Sequence, residues 1–207
     1  MTTPRILLVL TMDVTGRPPL TSGGLSLALA GAELIDLYAA QAARVSEDRV
    51  VPGPGPAPAD VLLERAFESL RREEPHESIG DWLWRRGDAL AEAYFAAFEA
   101  EGLLVRRRRR GHPFRAGEPV LADSAVRHEA AELWSRADPV LVTLAGAVGV
   151  GGGGPDKWTR DAPGVTDDTV AYILAAVCDS VMELEAERQR RGIEQSAFDN
   201  VWRGPDA

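Results

Sequence analysis

At 207 residues the chain can bury a sizeable core as one domain. Its net charge of −9 argues against a free-standing nucleic-acid binder, and its single cysteine, Cys178, rules out a disulfide framework or a cysteine zinc site. Lys157 is the only lysine, so the basic side is almost wholly arginine; with heavy Ala, Gly and Pro usage this is the composition of a high-GC bacterial genome.

Thr3-Pro4 is a helix start, a capping hydroxyl followed by proline at the first position. Ile6–Met12 follows as a short buried element ending near Gly16. This start reads as a helix and not a signal peptide, since Asp13 ends the apolar run and no small-residue cleavage site follows. Leu20–Ala43 comes next, with Ser22 placed to cap it. It is apolar on nearly every face and belongs in the centre of a bundle. Glu33 and Asp36 share one face of it. They pair with arginines or cap a neighbouring helix; the rival reading is a catalytic or metal-binding carboxylate pair.

Arg44–Val51 alternates and reads as extended, and Pro52–Pro58 as a stiff exposed linker or loop. Asp60 caps a helix carrying Leu63, Ala66, Phe67 and Leu70 on one face. Ser78 and Asp81 approximate a capping box for Ile79–Arg86. Asp88 caps the next helix, which Gly102 stops. Asp123 caps a helix striped by Val126, Ala130, Leu133, Trp134 and Ala137, and Asp138-Pro139 starts an apolar helix through Val148. Gly149–Gly154 matches G-x-G-x-x-G only trivially and reads as a flexible loop. Thr166 or Asp167 caps the last long helix, with Val170, Ile173, Leu174, Val177, Val181 and Leu184 at helical spacing. Cys178 lies inside that pattern as a buried thiol. Residues 193–207 read as a loosely held tail after a domain over 1–192. No stretch reaches about 18 uncharged apolar residues, so the protein is expected in the cytoplasm, free or peripheral on the inner face of the plasma membrane.

Chemistry concentrates in Leu103–Leu121, read as a β-hairpin or an arginine-tipped loop. Arg106, Arg107, Arg108, Arg109, Arg110 and Arg115 against Glu118 give this stretch a charge of +5, which leaves −14 on the rest of a chain totalling −9. Guanidinium forks match phosphate oxygens, and Phe114 adds an apolar contact. The candidate partner is therefore an anionic lipid headgroup or membrane surface. Two alternatives stand beside it: the arginines pair with the chain's own acids, a protein partner or a second copy, or the hairpin is a winged-helix-like wing on nucleic acid, ranked last. The catalytic inventory is thin. His76, His112 and His128 lie on three different elements, and no nucleophile or metal motif occurs. The expectation is a non-enzymatic protein with no cofactor and no metal.

The order of parts resembles the Golgi phosphoprotein 3 family, in its bacterial, mostly actinobacterial, branch. The carriers are ILLVLTMDVTGR, LALAGAELIDLYAA, ADVLLERAF, AEAYFAAFEAEGLL, the following hairpin with GEPVLAD, and DDTVAYILAAV, spread over Arg5 to Arg191. The resemblance implies a mainly α, single-domain helical bundle around a buried central helix with one protruding β-hairpin. In eukaryotic members this domain is a peripheral membrane protein that recognises phosphatidylinositol 4-phosphate and retains glycosyltransferases in the Golgi, with the hairpin beside the lipid pocket. The pocket's tryptophan and three arginines fall here at Thr21, Ala30, Asp88 and Ala91. Arg17, Arg85 and Arg86 are the basic residues left to form a substitute pocket.

Overall fold

A computed structural model describes residues 1–15, 22–107, 118–150 and 164–202. They form eight helices and two small antiparallel hairpins: α1 (Thr3–Thr15), α2 (Ser22–Ala39), β1 (Ala43–Ser46), β2 (Arg49–Pro52), α3 (Val61–Glu68), α4 (Ile79–Arg86), α5 (Leu90–Ala100), β3 (Leu104–Arg107), β4 (Glu118–Leu121), α6 (Ala125–Ser135), α7 (Pro139–Ala147) and α8 (Asp168–Trp202). The chain is thus mainly helical.

The expected central helix is α2. It packs against α1, α3, α4, α5, α7, α8 and β1, and Leu25, Leu29, Leu34 and Leu37 have no exposed surface. Gly31 makes the closest approach. A Cβ there would lie 2.2 Å from Val177 Cγ2 of α8, so only glycine lets the two helices meet at this depth. Trp82 of α4 is fully buried and donates its indole N–H to the Ala30 carbonyl at 3.3 Å.

The two acids of α2 hold neighbouring helices. Glu33 is fully buried. Its carboxylate accepts from Arg86 Nε at 2.7 Å and Nη2 at 2.9 Å, and from the Tyr94 hydroxyl at 3.0 Å. One side chain thereby joins α2, α4 and α5. Asp36 accepts from the Thr3 backbone N–H at 2.7 Å and from Thr3 Oγ1 at 2.5 Å, capping α1 from across the core. Burial raises both carboxyl pKa values, and these donors pull them back. The rival reading as an accessible carboxylate pair is therefore overturned for these two residues.

Local signals placed most boundaries. Asp60 caps α3 by accepting from Leu62 and Leu63 N–H. Ser78 and Asp81 form a reciprocal capping box on α4. Gly102, at φ +73°, ends α5. Asp138 caps α7 with Pro139 at its first position, and Asp167 Oδ1 accepts from Val170 N–H at 3.0 Å at the start of α8. Two expected caps are different residues. Asp88 does not cap α5: Ala89 takes that position at φ 52°, with no side-chain cap of its own. Ser26 Oγ of α2 instead accepts the Ala91 N–H at 3.0 Å. Ser124, one residue past Asp123, caps α6 by accepting from Arg127 N–H.

Arg44–Val51 is a complete hairpin, with Val45 opposite Val50 and Ser46 opposite Arg49. Its two turn residues, Glu47 and Asp48, both have positive φ, as the favoured two-residue turn requires. The Pro52–Pro58 stretch folds back on the end of α2. Gly53 N–H donates to Ala42 O and Gly55 N–H to Gln41 O, each at 2.8 Å. The last helix also differs from expectation. It continues through Gly192 to Trp202, with Ile193 70% exposed. Arg188 to Glu185, and Arg190 and Arg191 to Glu187, support the turns of α8 just before Gly192. Cys178 is buried in α8, and burial raises its thiol pKa.

Candidate functional site

The expected basic hairpin is present at its base. β3 and β4 pair antiparallel, Leu104 opposite Leu121, Val105 opposite Val120, Arg106 opposite Pro119 and Arg107 opposite Glu118. Strand alternation explains the anchoring. Leu104 and Leu121 are buried, whereas Val105 between them and the tip is 49% exposed. Leu103 N–H donates to Phe98 O of α5, and Ala122 N–H donates back to Leu103 O, each at 2.9 Å. The strands thus leave the body from the C-terminal end of α5. Arg106 and Arg107 belong to β3; Arg108, Arg109, Arg110, Phe114 and Arg115 lie outside the described residues.

The same end of α5 is fixed by Arg5 of α1. Its Nε donates to Asp60 at 2.5 Å, and its two terminal nitrogens form a fork on Glu101 at 2.6 and 2.7 Å. The guanidinium also stacks over Phe98, 5.5 Å from the ring centre. These contacts push the Arg5 pKa further up, the Glu101 bond foremost. Nothing in the periodicity pointed to Arg5; its only sequence signal was a charge beside a buried run.

Other body arginines are similarly occupied. Arg86 holds Glu33. Arg85 makes a fork on Glu77, itself 3% exposed, at 2.9 and 2.5 Å. Arg127 makes another on Asp13 at 2.8 Å for both bonds. Arg85 and Arg86 therefore do not converge on an open phosphate pocket, and Arg17 lies outside the described residues. Of the positions where the family's lipid pocket has arginines, Ala30 and Ala91 are fully buried.

Asp88 occupies the remaining arginine position and lines an open cleft of about 670 Å³ between the start of α2, the α4–α5 corner and α8. Trp84, Arg85, Glu92 and Arg188 line it as well. Among the described residues, no group of three or more His, Cys, Asp or Glu is placed to hold a metal ion, and no helix is long and apolar enough to cross a membrane.

Comparison with curated proteins gives no match. The family model described as Golgi phosphoprotein 3 (GPP34) matches residues 4–191, nearly the whole chain and the same span that carries the helical body and the hairpin. The chain belongs to the Golgi phosphoprotein 3 family.

Proposed function

We propose that this protein is a non-enzymatic peripheral binder of anionic membrane surfaces, with Arg106–Arg110 as the electrostatic contact and Phe114 and Arg115 beside them. The carrying observation is a run of five arginines that begins in β3, in a hairpin whose base is locked into the core. The body supplies its own counter-charges: Asp13, Glu33, Asp60, Glu77 and Glu101 are each paired with an arginine from outside the hairpin. A +5 hairpin on a −14 body forms a strong dipole that orients the hairpin towards negative charge. At about 1 kcal/mol for each arginine near an anionic surface, the run contributes about 5 kcal/mol, a several-thousand-fold partition. Phosphorylated headgroups at the inner face of the plasma membrane are one anionic class whose oxygens such guanidinium groups match.

The test is vesicle co-sedimentation at near-physiological salt. Neutral vesicles, generic anionic vesicles and vesicles with phosphatidylinositol 4-phosphate are compared for wild type and for a variant with Arg106–Arg110 all changed to Ser. Binding to anionic vesicles that the variant loses is the expected result. Binding to no vesicle overturns the membrane reading and puts a protein–protein adaptor first.

A further inference from the structure

α8 outruns the body it packs on. Ile173, Leu174, Val177 and Val181 bury its inner face, and Leu184 and Arg188 still lie beside Gly23 of α2. From Gln189 to Gln195 every residue is exposed. A helical stretch that gains nothing from packing is marginal in water. The outer face of the same helix carries apolar side chains. Met182 is 37% and Ile193 70% exposed, with Ala186 and Gln189, also exposed, between them. These four positions follow one another at intervals of 4, 3 and 4 residues, the seven-residue repeat that draws one straight seam along a helix. Charge divides along the same stretch. Asp179, Glu183, Glu185 and Glu187 precede Arg188, Arg190 and Arg191, with no base in the first group and no acid in the second. Arg190 and Arg191 share the one carboxylate of Glu187, at 2.8 Å each, so the basic turn keeps unused guanidinium donors.

We infer that the outer face of α8 is the contact between two copies of this chain, paired antiparallel about a two-fold axis that passes between Glu187 and Arg188. That register places Met182 opposite Ile193 of the second copy and Ala186 opposite its Gln189, and the symmetry repeats each contact. The two large apolar side chains cover one another. The small Ala186 lets the helix axes approach to about 8 Å, the near end of helix packing distances. The acidic half of each α8 then runs along the basic half of the other. In such a pair each edge of the seam meets the same edge of the other copy. Glu183 and Arg190, seven residues apart, share an edge, so Glu183 reaches Arg190 of the second copy on both sides of the axis. A parallel pair would set acids against acids and arginines against arginines, so the order of charges selects the antiparallel one. A partner of a single sign would be attracted by one half of the stretch and repelled by the other; the complementary sequence is the chain's own. The seam is about 18 Å long, less than a standard interface offers, so the dimer is reversible, with a dissociation constant on the order of 10 μM.

The test is sedimentation equilibrium of the full chain from about 1 to about 200 μM, a range that brackets this affinity, at near-physiological salt. A reversible equilibrium between monomer and dimer is expected. Ile193→Asp puts a charge into the seam and should weaken it about tenfold or more. Glu183→Arg alone sets arginine against arginine across the contact, and Arg190→Glu alone sets acid against acid. Two symmetry-related pairs change sign at once, so each variant should self-associate about tenfold or more weakly. An equimolar mixture of the two variants restores opposite charges at both places and should pair within about threefold of the wild-type affinity. A second chain cannot rescue lost folding, so the mixture separates a contact between copies from a structural effect. A wild-type chain that stays monomeric over this range, single variants that dimerise like wild type, or a mixture that pairs no better than its parts overturns the assignment. The variant with Arg106–Arg110 changed to Ser should dimerise like wild type whatever its vesicle binding. Loss of the dimer in that variant moves the contact to the hairpin and overturns the α8 seam.

Discussion

Replacing Arg86 by Met isolates the buried ion pair of the central helix. Glu33 has no exposed surface, and two of its three hydrogen bonds come from Arg86. After the substitution the carboxylate keeps only the Tyr94 hydroxyl. An uncompensated buried charge of this kind costs about 3–5 kcal/mol. For a domain of this length that is a fall in Tm of about 6–20 °C. The burial that already raises the Glu33 pKa then acts without its main opponent. A carboxyl raised in the folded state binds its proton more tightly there than when unfolded, so stability falls as pH rises through the folded value and is regained below the unfolded one. The Arg86→Met protein should therefore recover part of its loss as pH falls from 7 towards 5, measured by urea unfolding at each pH. Replacing the whole cluster, Glu33→Leu, Arg86→Met and Tyr94→Phe, removes charge and hydroxyl together and should return to within about 2 kcal/mol of wild type. A pH-independent loss below about 1 kcal/mol for the single variant would refute the reasoning, since it would mean that the carboxylate is not held dry.

Asp36→Ala removes the cross-core cap of α1 and should cost about 1–2 kcal/mol by chemical denaturation. Gly31→Ala drives a methyl into Val177 and should cost about 1–3 kcal/mol, with Val177→Ala in the same chain restoring much of it. Arg5→Gln loosens the end of α5 beneath the hairpin by breaking the bonds to Asp60 and Glu101; faster amide exchange should appear at Leu103 and Leu104, and unchanged exchange there would detach the hairpin from this anchor.

The parts of the fold legible in the sequence were those written in short-range chemistry. Asp60, Ser78 with Asp81, Asp138-Pro139 and Gly102 each satisfy or end their own helix, so residue type and spacing were enough. The α5 cap was not legible because its acceptor, Ser26, lies on another helix. The first hairpin was half legible. Its alternation was visible, but Glu47-Asp48 reaches positive φ without the Asn-Gly or Asp-Gly signature. Glu33 and Asp36 stood out as acids on an apolar helix, yet their partners lie 53 and 33 residues away and no local pattern names them. For the site, the charge of Leu103–Leu121 announced a basic hairpin. The cleft was invisible: Trp84, Asp88, Glu92 and Arg188 meet only when α8 returns across the α4–α5 corner.

The near absence of lysine gains a physical meaning from these contacts. Arg5, Arg85, Arg86 and Arg127 each present two or more nitrogens to a carboxylate or to two carboxylates. A lysine ammonium is a single point charge and cannot reproduce that planar fork. Among the described residues the body thus uses arginine for structure, with forks on Glu33, Glu77, Glu101 and Asp13. The hairpin arginines follow a different logic. They form an unbroken run in the sequence, and like charges at this density repel one another. Such repulsion costs stability unless an external anion relieves it. The five-fold change of Arg106–Arg110 to Ser should accordingly leave the Tm unchanged or slightly raised while removing vesicle binding. A marked fall in Tm would instead assign those arginines to the protein's own acids and take away the charge on which the membrane reading rests.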